Sequence, residues 1–310
     1  MHGKLLAVVL EKTYTMKKVL IVCSVLVAGF LALIIGHLIH LNSLSKADLY
    51  PLDTFLQNQT NKSAVIIVAH DDDAISMSGT ISYLVDRGWE IRELCFYQGF
   101  ENKDSLRKRD LMSAANLLGM KAVEYHDIEL RKYRDKIQKP WLPIAYSEFD
   151  SAYNRTVVLD YIQNFIEKSN PSVIFTLDDV MGGYGHPDHV FISQLVREYC
   201  AQQQRDSAFS VEQIYQAVFD PEMNERILKD MEAFQLAKKV YAVERSPKPD
   251  IFVSIRGHET IKKKALLTYS TEQKSLTAIW PYYNYYPASI YFRIFDKEYY
   301  RVLKRSENYR

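Results

Sequence analysis

Five consecutive apolar residues, Ala64-Val65-Ile66-Ile67-Val68, constrain the fold of this chain more than any other stretch. The run is far too short to cross a membrane and shows no polar alternation, so residues 64–69 read as a strand buried on both faces. Strand-like and helix-like segments alternate after it. Residues 75–87 read as a helix ending at Gly88, 90–97 as a strand, 105–118 as a helix stopped by Gly119, and 122–125 as a third strand. Helices are expected at 152–168, 187–203 and 259–269, with strands at 173–177, 214–219 and 251–255. This spacing predicts an α/β, Rossmann-like domain, a mostly parallel sheet with helices on both faces. In open sheets of this kind ligands bind beyond the carboxyl ends of the strands. His70-Asp71-Asp72-Asp73 lies at one such end. Three adjacent carboxylates in a partly desolvated place raise one another's pKa, and they need a reason to be there.

A second stretch supplies one. "VIFTLDDVMGGYGHPDHV" (173–190) is also an apolar strand, followed by a Gly-rich loop and by His186-Pro187-Asp188-His189, with Pro187 suited to the first turn of a helix. His186 and His189 are three residues apart and can share one side of that turn. Two strand ends would then deliver imidazole and carboxylate to one edge of one sheet. A divalent cation makes such a cluster favourable, because its charge inverts the usual pKa logic. Histidine and aspartate without thiolate suit an open zinc site, with iron(II) the alternative in the cell, whereas magnesium prefers oxygen ligands.

"AHDDDA" and "GHPDH" resemble the AHPDDE motif and the matching second motif of the PIG-L/LmbE-like zinc-dependent N-deacetylases. The resemblance runs from about residue 63 to 303. Arg107-Lys108-Arg109-Asp110-Leu111 is similar to the family's R-x-x-E-L helix, and Lys264-Ala265-Leu266 with Tyr269-Ser270-Thr271 to a K-x-A-L…H-x-SQ stretch. The resemblance implies His70, Asp73 and His189 as zinc ligands and Asp72 as general base. It implies His186 as oxyanion stabiliser or proton donor to the leaving amine, and Asp188 as the residue orienting a histidine. Arg107 aligns with a substrate-contacting arginine, and Asp127 is a candidate for a sugar hydroxyl. The expected reaction is removal of N-acetyl groups from N-acetylglucosamine-type sugars, on a glycan or glycolipid. The alternatives are hydrolysis of another amide or ester on a sugar conjugate, and a non-catalytic glycan binder. This chain departs from the family pattern at three places: Asp71 replaces a proline, Ala74 a glutamate and Tyr269 a histidine.

The N-terminus carries a second signal. Residues 19–36 are uncharged and mostly apolar, with Lys17 and Lys18 just before them, and apolar character continues to Leu41. About 18 to 23 helical residues span roughly 27 to 34 Å, enough for a bilayer. The expected organisation is a cytoplasmic segment at 1–18, a transmembrane anchor at 19–41, a linker at 42–62 and the deacetylase domain at 63–310. The lysines place the N-terminus in the cytoplasm and the domain outside it; a cleaved signal peptide with secretion is the runner-up. A formal net charge of +1 over 310 residues gives no support to nucleic-acid binding. With no C-x-x-C pair, Cys95 and Cys200 are expected as buried thiols. Two further stretches stand out, the polar segment 131–148 around Trp141 and the aromatic run 280–287 (WPYYNYYP).

Overall fold

The computed structural model describes residues 2–96, 104–133 and 136–310, with side chains from residue 16 onward except at 104. Tyr97, expected at the end of the second strand, and Arg134 and Asp135 of the polar segment lie outside them. The chain divides into two compact units, Met1–Lys46 and Ala47–Arg310. The first is one helix, His2–Leu44. Within it Met16–Leu44, 29 residues, is long and apolar enough to cross a membrane.

The second unit is built on a seven-stranded sheet in the order β3-β2-β1-β4-β5-β7-β6. The strands are β1 (Ser63–Val68), β2 (Glu90–Phe96), β3 (Ala122–His126), β4 (Val173–Leu177), β5 (Gln213–Val218), β6 (Ile251–Ser254) and β7 (Lys297–Lys304). β1 to β5 pair in parallel. β7 runs antiparallel to both β5 and β6. β1 is buried from Ala64 to Val68, as a central parallel strand must be. One face of the sheet, with Val65, Ile67, Leu94 and Ile174, packs on helices Arg155–Ser169 and Pro187–Gln203 through Val158, Ile162, Val190 and Leu195. Cys95 and Cys200 are free and buried.

The sheet order positions the site. From β1 the chain moves outward through β2 and β3, then returns to place β4 on the other side of β1. The point where the order reverses leaves a crevice outside the strand ends. Both motifs follow the two strands that flank it.

Residues 47–62, expected as linker, pack into the second unit instead. Asp53 is buried and accepts hydrogen bonds from the Leu56 backbone N–H at 2.9 Å and the Tyr215 hydroxyl at 2.7 Å. Tyr50 donates to Asp220 at 2.7 Å, and Leu56 is 2% exposed. These anchors come from strands and turns far along the sequence, which local polarity does not reveal.

Candidate metal centre

The first motif leaves β1 in a tight turn. The Asp73 carboxylate accepts the His70 backbone N–H at 2.8 Å, and a 3₁₀ turn, Asp73–Met77, leads into helix Ser78–Val85. Glu298 from β7 secures this helix start, accepting the N–H groups of Gly79 at 2.9 Å and Thr80 at 2.7 Å. Carboxylates are favoured at helix N-termini, where backbone donors lack partners. The fit is close: a Cβ on Gly79 would lie 2.4 Å from an Ile255 methyl carbon. Glu298 also forms a buried ion pair with Lys262. Support for this helix start is therefore delivered from β7, across the sheet.

The second motif is organised by Asp178, whose carboxylate accepts backbone N–H groups of Val180 at 3.0 Å, Met181 at 2.5 Å and Gly183 at 2.6 Å. Gly182 has φ +59°, and a Cβ there would come 2.7 Å from the Cβ of His189. Its carbonyl lies 2.9 Å from His189 Nδ1. The helix starts with Pro187 at its first position and His186 as N-cap, accepting the Asp188 N–H on Nδ1 at 3.2 Å.

The two motifs meet. His70 Nδ1 is 3.1 Å from His189 Nε2 and 3.4 Å from an Asp73 carboxylate oxygen, and the other Asp73 oxygen is 3.0 Å from His189 Nε2. Four tetrahedral ligands at zinc–nitrogen and zinc–oxygen distances of ~2.0–2.1 Å sit roughly 3.3 Å apart, so the two imidazole nitrogens and the Asp73 carboxylate have the spacing of groups sharing one cation. His70, His186 and His189 also form a group whose ring nitrogens lie within 4.8 Å of one another. Hydrogen bonding separates their capacities. His189 Nδ1–H donates to the Gly182 carbonyl, which leaves Nε2 as a lone pair facing the cluster. His70 Nε2–H donates to Asp188 at 3.3 Å, which leaves Nδ1 facing it. Such outer partners fix the tautomer of a ligating imidazole. His186 is arranged the other way, because its Nδ1 accepts a backbone N–H and the neutral ring then carries its proton on Nε2.

Charge follows this geometry. Burial raises the Asp73 carboxyl, but His189 and His70 outweigh it and hold it well below the usual range. Burial likewise raises Asp188, but His186, His70 and Tyr153 outweigh it and hold it below the usual carboxylate range. The Tyr153 hydroxyl donates to Asp188 at 2.6 Å. Burial lowers His70, yet Asp73 and Asp188 carry it up to about 10 in the cation-free chain. Burial keeps His186 well below 6.5 and hence neutral. Asp72 is pushed up to about 7, mainly by burial and by Asp71, Asp73 and Glu272, against the opposing pull of Arg107.

Arg107 does not stand open to solvent. Its guanidinium forks onto the fully buried Asp71 through Nε at 3.0 Å and through an Nη, reaches Asp72 at 3.1 Å, and pairs with Glu272. The other stretches that carry the family resemblance join the same network. Asp110 accepts the Ser270 N–H at 2.9 Å and its hydroxyl at 2.8 Å, while the Tyr269 hydroxyl donates to the Asp71 carbonyl at 2.7 Å. Asp127 is not brought in: it is exposed, just past β3, at the sheet edge two strands from β1. Tyr153, Glu272 and Glu298 carry no sequence signal for the roles they take here. In the polar segment, Arg131 is buried against the Pro140 carbonyl and the Tyr146 hydroxyl donates to the Val180 carbonyl. The aromatic run divides, with Trp280 and Tyr283 buried and Tyr282 and Tyr285 exposed.

Comparison with known proteins matches the same region of the chain. Residues 65–200, which contain both motifs, match the family described as PIG-L: GlcNAc-PI de-N-acetylase. The N-acetylglucosaminyl-phosphatidylinositol de-N-acetylase of Bos taurus is 28% identical over 136 residues, 43% of this chain and 48% of the relative. The match thus spans about half the length of that relative. Among solved structures, the N,N'-diacetylchitobiose deacetylase of Pyrococcus horikoshii aligns over 83% of this chain and 96% of its own, with TM-score 0.50 and 19% identity. The 4-carboxy-2-hydroxymuconate hydratase of Pseudomonas putida aligns over 78% and 95%, with TM-score 0.50 and 16% identity. A deacetylase and a hydratase on one architecture show that the fold leaves the reaction open.

Proposed function

We propose that this chain, which carries a PIG-L domain over residues 65–200, is a membrane-anchored, metal-dependent hydrolase that removes N-acetyl groups from N-acetylglucosamine-type sugars on a glycan or glycolipid. The observation that carries this reading is the convergence of His70 Nδ1, His189 Nε2 and Asp73 at 3.0–3.4 Å beside a carboxylate poised near neutrality. His70, Asp73 and His189 would hold a divalent cation, zinc by donor type. Such a cation supplies Lewis-acid polarisation of the amide carbonyl and acidifies the attacking water. Asp72 accepts the proton that water loses as its oxygen bonds to the carbonyl carbon. The neutral His186 presents Nε2–H to the oxyanion that develops. The C–N bond then breaks, acetate departs, and the proton held by Asp72 passes to the amine nitrogen. Asp188 keeps His70 in the tautomer that leaves Nδ1 available, and Tyr153 holds Asp188. Arg107, committed to Asp71, Asp72 and Glu272, orients the base.

The apolar helix Met16–Leu44 would anchor the enzyme, and Lys17 and Lys18 favour an N-terminus in the cytoplasm with the catalytic unit on the other side. The full chain in lipid nanodiscs should release acetate from N-acetylglucosaminyl substrates, lose this on chelation and regain it with added zinc. Release indifferent to chelation would overturn the mechanism.

Proton competition gives a further expected result. Because His70 is carried up to about 10, cation binding must displace its proton. Apparent zinc affinity should therefore fall about tenfold for each unit the pH drops between about 8 and 6. Competition against a fluorescent chelator measures this; an affinity flat across that range would remove His70 from the ligand set.

A further inference from the structure

The cation site opens into a cavity of about 100 Å³, lined on one side by Asp72, Asp73 and His189. Its remaining wall is largely hydrocarbon. Leu177 and Val218 come from the ends of β4 and β5, Met223 from helix Pro221–Leu228, and Leu276 and Ile279 from helix Gln273–Ile279, with Trp280 beside them. Of the other charged groups in the lining, Lys262 pairs with Glu298 and lies 5.4 Å from the Trp280 ring centre, and the Lys297 ammonium lies 4.8 Å from the Phe252 ring centre. A sugar hydroxyl placed against these apolar side chains would lose water and gain little in return, which is costly. An alkyl group placed there gains its full transfer free energy.

We infer that the substrate of this site carries, close to the scissile amide, a hydrocarbon group that fills this cavity. The site would thus select amphiphilic N-acyl sugars over fully polar ones. This rests on the hydrolase reading above and narrows its substrate class. The group has two chemical sources, an acyl chain longer than acetyl or an alkyl substituent on the sugar side. The apolar helix Met16–Leu44 is consistent with such a substrate, since a membrane-anchored enzyme works where amphiphiles collect.

Two short series separate these sources, both assayed on the full chain in nanodiscs. One varies the acyl group of N-acylglucosamine from acetyl through butanoyl to hexanoyl. The other varies the aglycone of N-acetylglucosamine from methyl through butyl to hexyl. In the series that matches the cavity, kcat/KM should rise about fourfold per buried methylene until the cavity is full. Calorimetric titration with the same ligands should show binding tightening in parallel. Leu276→Trp and, independently, Ile279→Phe reduce the cavity and should flatten the rise; the wild-type chain in the same nanodiscs controls for partitioning into lipid. Turnover and binding that are flat or falling along both series overturn the inference and leave the hydrolase reading standing. A rise in binding with no hydrolysis of any member supports the cavity assignment and overturns the hydrolase reading. A rise that persists unchanged in both filled variants places the hydrocarbon elsewhere and overturns the inference.

Discussion

Asp72→Asn should leave a folded, cation-loaded chain that hydrolyses its amide about 10²- to 10⁴-fold more slowly, the range that general-base catalysis contributes. The substitution keeps the shape of the side chain and one oxygen for the Arg107 contact at 3.1 Å, but removes the group that takes the water's proton. Asp72 suits that task because burial, reinforced by Asp71, Asp73 and Glu272, pushes it up to about 7, and Arg107 keeps it from rising further. A base with a pKa near working pH is both unprotonated often enough and basic enough. A bound cation nearby lowers this value, so the base-form limb of the pH–rate profile should lie below 7 and vanish in Asp72→Asn. Zinc content should stay at one per chain, which separates loss of the base from loss of the metal. Activity within threefold of wild type would assign the base elsewhere.

Glu298→Ala should cost about 3–5 kcal/mol of stability, the usual penalty for breaking a buried ion pair from one side. Lys262 and Glu298 are 2% and 6% exposed. The change would strand the Lys262 ammonium and the N–H groups of Gly79 and Thr80 at a helix start. Urea titration of the nanodisc-held chain, followed by tryptophan emission, reads the shift. A cost below about 1 kcal/mol would mean that water or another carboxylate already serves these donors. Since helix Ser78–Val85 follows directly on the turn that carries Asp73, catalysis should suffer at urea concentrations that leave the rest of the sheet intact.

The central parallel strands β1 and β4 were legible because they are short, almost wholly apolar runs, and β4 matches residues 173–177 as expected. β7 was not, because Lys297–Lys304 (KEYYRVLK) is strongly charged and its burial comes only from lying between β5 and β6. The cluster residues His70, Asp72, Asp73, His186, Asp188 and His189 were readable for a related reason: each lies at the end of a recognisable strand or the start of a recognisable helix. Their partners were not. Tyr153 and Asp188 are 35 residues apart, and Glu272 reaches Arg107 across 165. Only the fold defines such pairs. Asp127, a candidate for a sugar hydroxyl and not for the cation, lies exposed just past the edge strand β3.

Asp71 carries a consequence for which residues of this chain can change independently. Where the family motif has proline, this chain holds a carboxylate with no exposure to solvent, tolerated because the guanidinium of Arg107 faces it. The two positions are therefore coupled: with Arg107 present Asp71 is a paired charge, and without it an uncompensated buried one. Arg107 answers to Asp71 as well as to Asp72 and Glu272. A substitution at 107 thus strands a buried carboxylate, and this chain can accept it only together with a change at 71.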